Sequence, residues 1–414
     1  MKKVHFAGTH RVRHPEETWA RLDELRDSFG ITRVADVTGL DTLGVPVVAA
    51  VRPAARTRPL AYGRGATPLL ARISAVMESV ELWHAEYACP PAEVLRTPAR
   101  ELALPYDVRA LPLPPGSLLS EHTPLDWVIG ADLVTGAPVP APRACVAAGE
   151  ETGTEWLPPL LRTAGGLAGG NSYEETVVHA LYKVIEQDCA ASPASRAPAA
   201  RVPAPASLAP AGPDTTGPVD PAGPDTTGPV DPAGVDDPLC AEVLARLAAA
   251  GVRVTLTRRA NRWALPCFSV GLWSKSFPVP VTAVGVHSDP GIALGRALTG
   301  AARDRLRALV GDGPAAASRA RATPPRAARA AGSPAGRLLD WREAAARGAE
   351  FAEFAEDTDE MRWLAGLVTA VTGHRPVAVD LSTETDFRVV KVVAAGLTGP
   401  AAGAGPVRLT GERR

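Results

Sequence analysis

The stretch Gly169-Gly170-Asn171-Ser172-Tyr173-Glu174-Glu175-Thr176-Val177-Val178-His179-Ala180-Leu181-Tyr182-Lys183-Val184-Ile185-Glu186-Gln187-Asp188 decides the reading of this 414-residue chain. It reads as a helix entered through a Gly turn, apolar over most of its length yet carrying acids. A second stretch has the same character. Arg64-Gly65-Ala66-Thr67-Pro68 leads into Ser74, Glu78 and Glu81, set among Ala75, Val76, Met77, Val80 and Leu82. Carboxylates in an apolar helix are costly unless something positive pairs with them. Helical geometry puts Ser74, Glu78 and Glu81 on one stripe, and Glu175, His179 and Glu186 on another. If the helices are neighbours, Glu78, Glu81, Glu175 and Glu186 converge, and a divalent metal fits them. Mg²⁺ prefers a few carboxylates plus phosphate oxygens, so this many acids points to more than one ion carrying a nucleotide. Taken singly, each acid reads more simply as solvated or paired with arginine.

Working outward, the pattern mixes helices and strands without a strict βαβ rhythm, which predicts an α+β or mixed α/β fold. A helix is expected from about Pro15 to Phe29, with strands over 31–37 and 45–51. Arg52, Arg56, Arg58 and Arg64 follow closely, and Arg64 above all is read as facing phosphate. Residues 90–120 read as a Pro-rich connector, and 127–134 with 137–145 as a hairpin about Thr135-Gly136. The Gly165–Asn171 segment reads as a loop whose glycines permit close approach to a phosphate. Later helices are expected at 239–249, 290–309 and 357–372, and strands at 252–257, 267–273, 279–286, 376–381 and 387–393.

Two segments read as low complexity. Residues 190–238 contain a tandem 11-mer, Pro-Ala-Gly-Pro-Asp-Thr-Thr-Gly-Pro-Val-Asp, at 210–220 and 221–231. So much Pro and Gly predicts a disordered insert without regular elements. The Ala/Pro-rich segment 311–338 is expected to be mobile. The whole chain, 1–414, is read as one domain.

Hydrophobic residues make up 46% of the chain, ample for a core, and the net charge of −1 gives no reason to expect nucleic-acid or membrane-surface binding. The five cysteines are scattered without a CxxC and read as free thiols in a reducing compartment. No signal-type h-region and no long apolar run occurs, so a cytoplasmic protein with neither membrane nor nucleic-acid partner is expected.

Ser74-xxx-Glu78-xx-Glu81 and Asn171-xx-Glu174-Glu175-xxx-His179-Ala-Leu-xx-Val-Ile-Glu186-x-Asp188 resemble the two ATP-binding signatures of the YcaO family. Further similarity runs through Gly30-Ile31 to Asp41, Val51-Arg52-Pro53, Leu125-Asp126-Trp127, Gly166-Leu167-Ala168, Ala293 to Thr299 and Val377 to Leu381. The resemblance implies the YcaO fold, with mixed sheets and helices around a central ATP cleft. It implies ATP and Mg²⁺ as cofactors. Arg64, Ser74, Glu78, Glu81, Asn171, Glu175, Lys183, Glu186 and Arg296 would bind the nucleotide, the four glutamates also holding metal. It further implies ATP-dependent O-phosphorylation of a peptide backbone amide, a precursor peptide as partner, and a homodimer. No individual catalytic residue follows from it.

The opening third, with Glu81-Leu-Trp-His84-Ala-Glu86, resembles the branch accompanied by a TfuA-like protein, which is thought to deliver sulfide. That branch implies thioamide formation. The C-terminal Gly405–Arg414 lacks the Pro-x-Pro-x-Pro tail of many azoline formers, which steers the same way. An azoline-forming cyclodehydratase is the alternative. Departures from the pattern are Lys183 where the family carries Glu, Gln187 where it carries Arg, and Gly300 and Arg303 in the block after Thr299. Lys183 either substitutes for a cation or marks lost Mg²⁺ coordination, and the latter would make the chain a peptide-binding partner without catalysis. A di-iron bundle suggested by Glu81-x-x-His84 ranks last, because the second helix offers no matching spacing.

Overall fold

The computed structural model describes residues 2–6, 8–114, 116–149, 160, 165–192, 227–312, 337–346, 354–383 and 386–398. The chain opens with a short hairpin, β1 (Val4–Phe6) and β2 (Thr9–Arg11), followed by α1 (Pro15–Leu25). Strands β3 (Arg33–Asp36), β4 (Val47–Val51) and β5 (Leu60–Arg64) form an antiparallel sheet. Helix α2 (Pro68–Tyr87) packs on it, buried through Ala71, Ala75, Val76, Val80 and Ala85. Thr67 caps α2 by accepting a hydrogen bond from the Leu70 N–H, and Pro68 occupies the first turn, where its missing N–H costs nothing. A Cβ on Gly63 would lie 2.1 Å from the Ala71 carbonyl oxygen, so only glycine lets β5 rest on α2.

A second antiparallel sheet contains β6 (Val94–Pro98), β7 (Pro124–Asp132), β14 (Val377–Asp380), β15 (Arg388–Val393) and β9 (Leu167–Gly170), in that order, with β8 (Pro138–Pro142) also on β7. After β8 comes the short α3 (Arg143–Val146). Helix α4 (Tyr173–Ala191) covers β9 and β15, and Ser172 caps it by accepting from the Glu175 N–H at 3.2 Å. A third antiparallel sheet runs β10 (Gly228–Val230), β11 (Arg253–Arg258), β12 (Cys267–Trp273), β13 (Val281–Val286). Helices α5 (Pro238–Ala249) and α6 (Pro290–Leu309) lie against it. Helices α7 (Trp341–Ala344) and α8 (Asp357–Thr372), the latter packed on α4, precede the last two strands, β14 and β15. The mixed fold expected from the pattern is the one observed. No helix among the described residues is long and apolar enough to cross a membrane.

Four local expectations are corrected. The loop read at Gly165–Asn171 contains strand β9, paired along Leu167–Gly170 with β15. The second strand of the 127–145 hairpin stops at Pro142, where α3 begins. The 90–120 connector contains β6. Within 190–238, the end of the second 11-mer supplies β10, because Gly228–Val230 completes the exposed edge of β11 despite its Pro. The rest of that insert from 193 to 226, most of 311–338 and the C-terminal 399–414 lie outside the described residues.

Candidate functional site

Helices α2 and α4 lie either side of β9, and the space at that junction is a cavity of about 420 Å³. Arg64, Ser74, Glu78, Glu81, Asn171, Glu175, Lys183 and Arg296 all line it. Glu78 and Glu81 of α2 and Glu175 of α4 thus share one cavity. Glu186 is not among the lining residues. It sits behind Arg296 and accepts from that guanidinium at 3.0 Å, so its role in the structure is to hold Arg296 at the wall.

The carboxylates are not an open cluster awaiting ions; each has a protein partner. Glu81 accepts two bonds from the Lys183 ammonium, at 3.0 and 2.8 Å, and one from the Gly169 N–H at 2.8 Å. Glu78 pairs with Arg58 at 2.8 Å. Glu175 turns one oxygen to the Asn171 N–H and amide and the other to the Val12 N–H. It thereby ties α4 to the end of the N-terminal hairpin, with Arg11 at 3.8 Å. Burial pushes the Glu81 carboxyl above its usual range, Lys183 opposing and the like charge of Glu78 adding to the rise. Burial also drives Arg64 down to about 10, with Arg303 next in effect.

Seven cationic side chains line the cavity against three carboxylates. Such a surplus suits a polyanion, and arginine forks suit phosphate oxygens. His179 lies among them, held well below its ordinary pKa by burial and by Arg11 and Arg296, and so neutral at pH 7.

Gly169 and Gly170 line the cavity and also allow close packing of protein. A Cβ on Gly169 would stand 2.4 Å from the Met77 sulfur, and one on Gly170 would stand 2.9 Å from a Glu175 oxygen. They let α2 and the Glu175 side chain approach β9.

The sequence reading missed the hairpin. Thr9, Arg11 and Arg13 line the cavity from it, and its flank is pinned by a buried network. Lys3 pairs with Glu360, whose other oxygen accepts from the Tyr182 hydroxyl at 2.6 Å, and His10 lies 3.4 Å from Glu360. Only the density of basic residues in 2–13 could have signalled it. His84, the residue behind the di-iron idea, contacts the Val80 carbonyl and the Thr383 hydroxyl and is not among the residues lining the cavity.

Against known proteins, the family model described as YcaO cyclodehydratase, ATP- and Mg²⁺-binding, matches residues 62–398. An uncharacterized protein of Mycobacterium tuberculosis is 36% identical over 311 residues, 74% of this chain and 64% of that protein. The chain thus spans somewhat under two thirds of that relative. An uncharacterized protein in a tfuA 3′ region of Rhizobium leguminosarum bv. trifolii is 30% identical over 314 residues, 72% of this chain and 67% of that one. The structure of a YcaO protein from Methanopyrus kandleri bound with AMPPCP and Mg²⁺ superposes with a TM-score of 0.66 at 23% identity, over 97% of this chain and 95% of that one. At that identity the likeness is one of fold.

Proposed function

The chain belongs to the YcaO family, and from that premise we propose that it is an ATP- and Mg²⁺-dependent enzyme that activates a peptide backbone amide, with thioamide formation as the outcome. The observation that carries this reading is the cavity itself, where the two acid-bearing helices meet under a surplus of cationic side chains. The donor set fits a magnesium triphosphate. Glu78 offers a carboxylate to a hard cation, and Arg64, Arg296 and Arg303 offer guanidiniums to phosphate oxygens.

Bound ATP supplies the phosphoryl group that makes an amide oxygen able to leave. The chain's own residues supply position and charge. Glu186 fixes Arg296 through one bond, and Glu175 fixes the hairpin that carries Arg11. His179, neutral and in the wall, can hydrogen-bond a ligand without adding to the positive charge. Sulfide as that nucleophile is supported by the rhizobial relative's place in a tfuA 3′ region. A TfuA-like sulfur carrier and a precursor peptide are the partners that go with it.

The test is incubation with ATP, Mg²⁺, a sulfide source and short peptides encoded beside the gene, followed by mass spectrometry. Thioamidation adds about 16 Da, whereas azoline formation removes about 18 Da. An ATP-dependent loss without sulfide would replace the thioamide reading by the azoline one. No nucleotide binding by calorimetry would reduce the chain to a peptide-binding partner, a reading favoured by the Lys183–Glu81 pair.

A further inference from the structure

Lys183 is the lysine in the wall of the cavity, and its place there is unusual for a surface ammonium. An ammonium has three N–H donors. Two go to the two oxygens of Glu81, at 3.0 and 2.8 Å, and one goes to the Leu167 carbonyl at 2.7 Å. A positive charge therefore sits astride the edge of Glu81 through which a carboxylate chelates a metal. The other lining carboxylates differ. Both oxygens of Glu175 are filled by N–H groups of Asn171 and Val12. Glu78 has a single bond, from Arg58, and that pair is about a third and a quarter exposed, at 34% and 26%, so water and ions can exchange there.

We propose that the Lys183 ammonium occupies a cation position at Glu81, so that this chain takes its nucleotide with one divalent ion, at Glu78. This deepens the nucleotide reading and rests on it. A lysine in that position carries one positive charge in place of two and needs no coordination shell. The arginines around it make up the balance of charge opposite a triphosphate. A consequence is that part of the nucleotide affinity is independent of metal.

The probe is AMPPCP, with Mn²⁺ counted by electron paramagnetic resonance and binding measured by calorimetry with and without the ion. The wild-type chain is expected to hold one Mn²⁺ per bound AMPPCP. Lys183→Glu restores a chelating edge and is expected to hold two, while its metal-free affinity falls about tenfold or more. Lys183→Met can neither ligate nor carry charge. It should lose about tenfold in metal-free affinity, and that loss decides the matter if Lys183→Glu does not fold. Two Mn²⁺ in the wild type, one in a folded Lys183→Glu, or unchanged metal-free affinity in Lys183→Met would each overturn the proposal while leaving nucleotide binding intact. A wild-type chain that binds no AMPPCP under any condition overturns the proposed function and this inference together.

Discussion

Helix α2 uses the same side chain in two opposite ways. Near its C-terminal end, Glu86 is buried and fully served. It accepts from the Arg52 guanidinium at 2.6 Å, from the Arg56 and Thr57 N–H groups at 3.1 and 3.0 Å, and from the Thr57 hydroxyl. Burial pushes its pKa up, but these donors more than offset it and the net shift is downward. Less than two turns earlier, Glu81 is also buried and paired, yet its shift is upward. Its partner Lys183 is a point charge half out in the cavity, and Glu78 adds a like charge beside it. Glu86 is an acid whose surroundings are complete, which marks it as structural. Glu81 is left short of compensation at the wall of a cavity, which suits it to the role proposed above.

The largest effect expected is at Glu86. Glu86→Ala strands Arg52, which is 2% exposed, without its carboxylate. Removing one partner of a buried pair costs about 3–5 kcal/mol, to be read by urea denaturation. Nucleotide affinity of the folded protein should not change. Glu81→Gln should do the reverse. Stability should stay within about 1 kcal/mol of wild type, because Lys183 can turn to water. The rate of ATP-dependent peptide modification should fall about 100-fold, since Lys183 loses its anchor and reacting groups tolerate little misplacement. Equal effects of the two substitutions on both measurements would erase the distinction between the ends of α2.

Their pH dependence should also have opposite sign. Glu86 titrates below its ordinary 4.5 in the folded state, so its contribution is present above that value and is lost as pH falls through the folded pKa. Glu81 titrates above 4.5 when folded, so its contribution is present below 4.5 and is lost as pH rises through the folded pKa. Comparing each Gln variant with wild type by denaturation on both sides of 4.5, from about pH 2 to 7, should show the Glu86 difference changing below 4.5 and the Glu81 difference changing above it, with opposite sign. Parallel profiles would show that the two carboxylates sit in equivalent surroundings.

The helices that carry these acids were legible in the sequence, whereas the contrast between Glu81 and Glu86 was not, for physical reasons. The long helices α2, α4, α6 and α8 declare themselves through apolar spacing and through caps such as Thr67, Ser172 and Asp289. Glu78 and Glu81 share a stripe because that spacing is intrinsic to the helix, and with Glu175 of α4 they line one cavity. Which neighbour each acid meets is not intrinsic. Glu186 shares a stripe with Glu175 but ends behind Arg296, a residue 110 positions away. Glycines 169 and 170 suit both a phosphate and a packed side chain, and their own spacing does not announce the approach of Met77 and Glu175. The hairpin at the N-terminal end escaped notice because its strands are three residues long, too short for any period to show.

The smallest effect expected concerns Arg64, and it sharpens the picture of a site held by charge instead of rigid packing. Gly300 on α6 stands where its missing side chain leaves room for the Arg64 guanidinium: an ideal Cβ there would lie 1.8 Å from Arg64 Nη1. Gly300→Ala would therefore push the guanidinium aside. The clash is with the far end of a flexible side chain, and alanine favours the helix over glycine by about 1 kcal/mol, so stability should hold or rise slightly. The cost should appear in binding. Arg64 would be moved from where its forked donors face the cavity, and AMPPCP affinity should drop about three- to tenfold, the worth of one charge-assisted contact. Arg64→Lys keeps the charge but not the fork, and on this account it should lose a similar amount. If Gly300→Ala left AMPPCP affinity untouched while Arg64→Lys lowered it, Arg64 would be reaching the ligand from a position that Gly300 does not control.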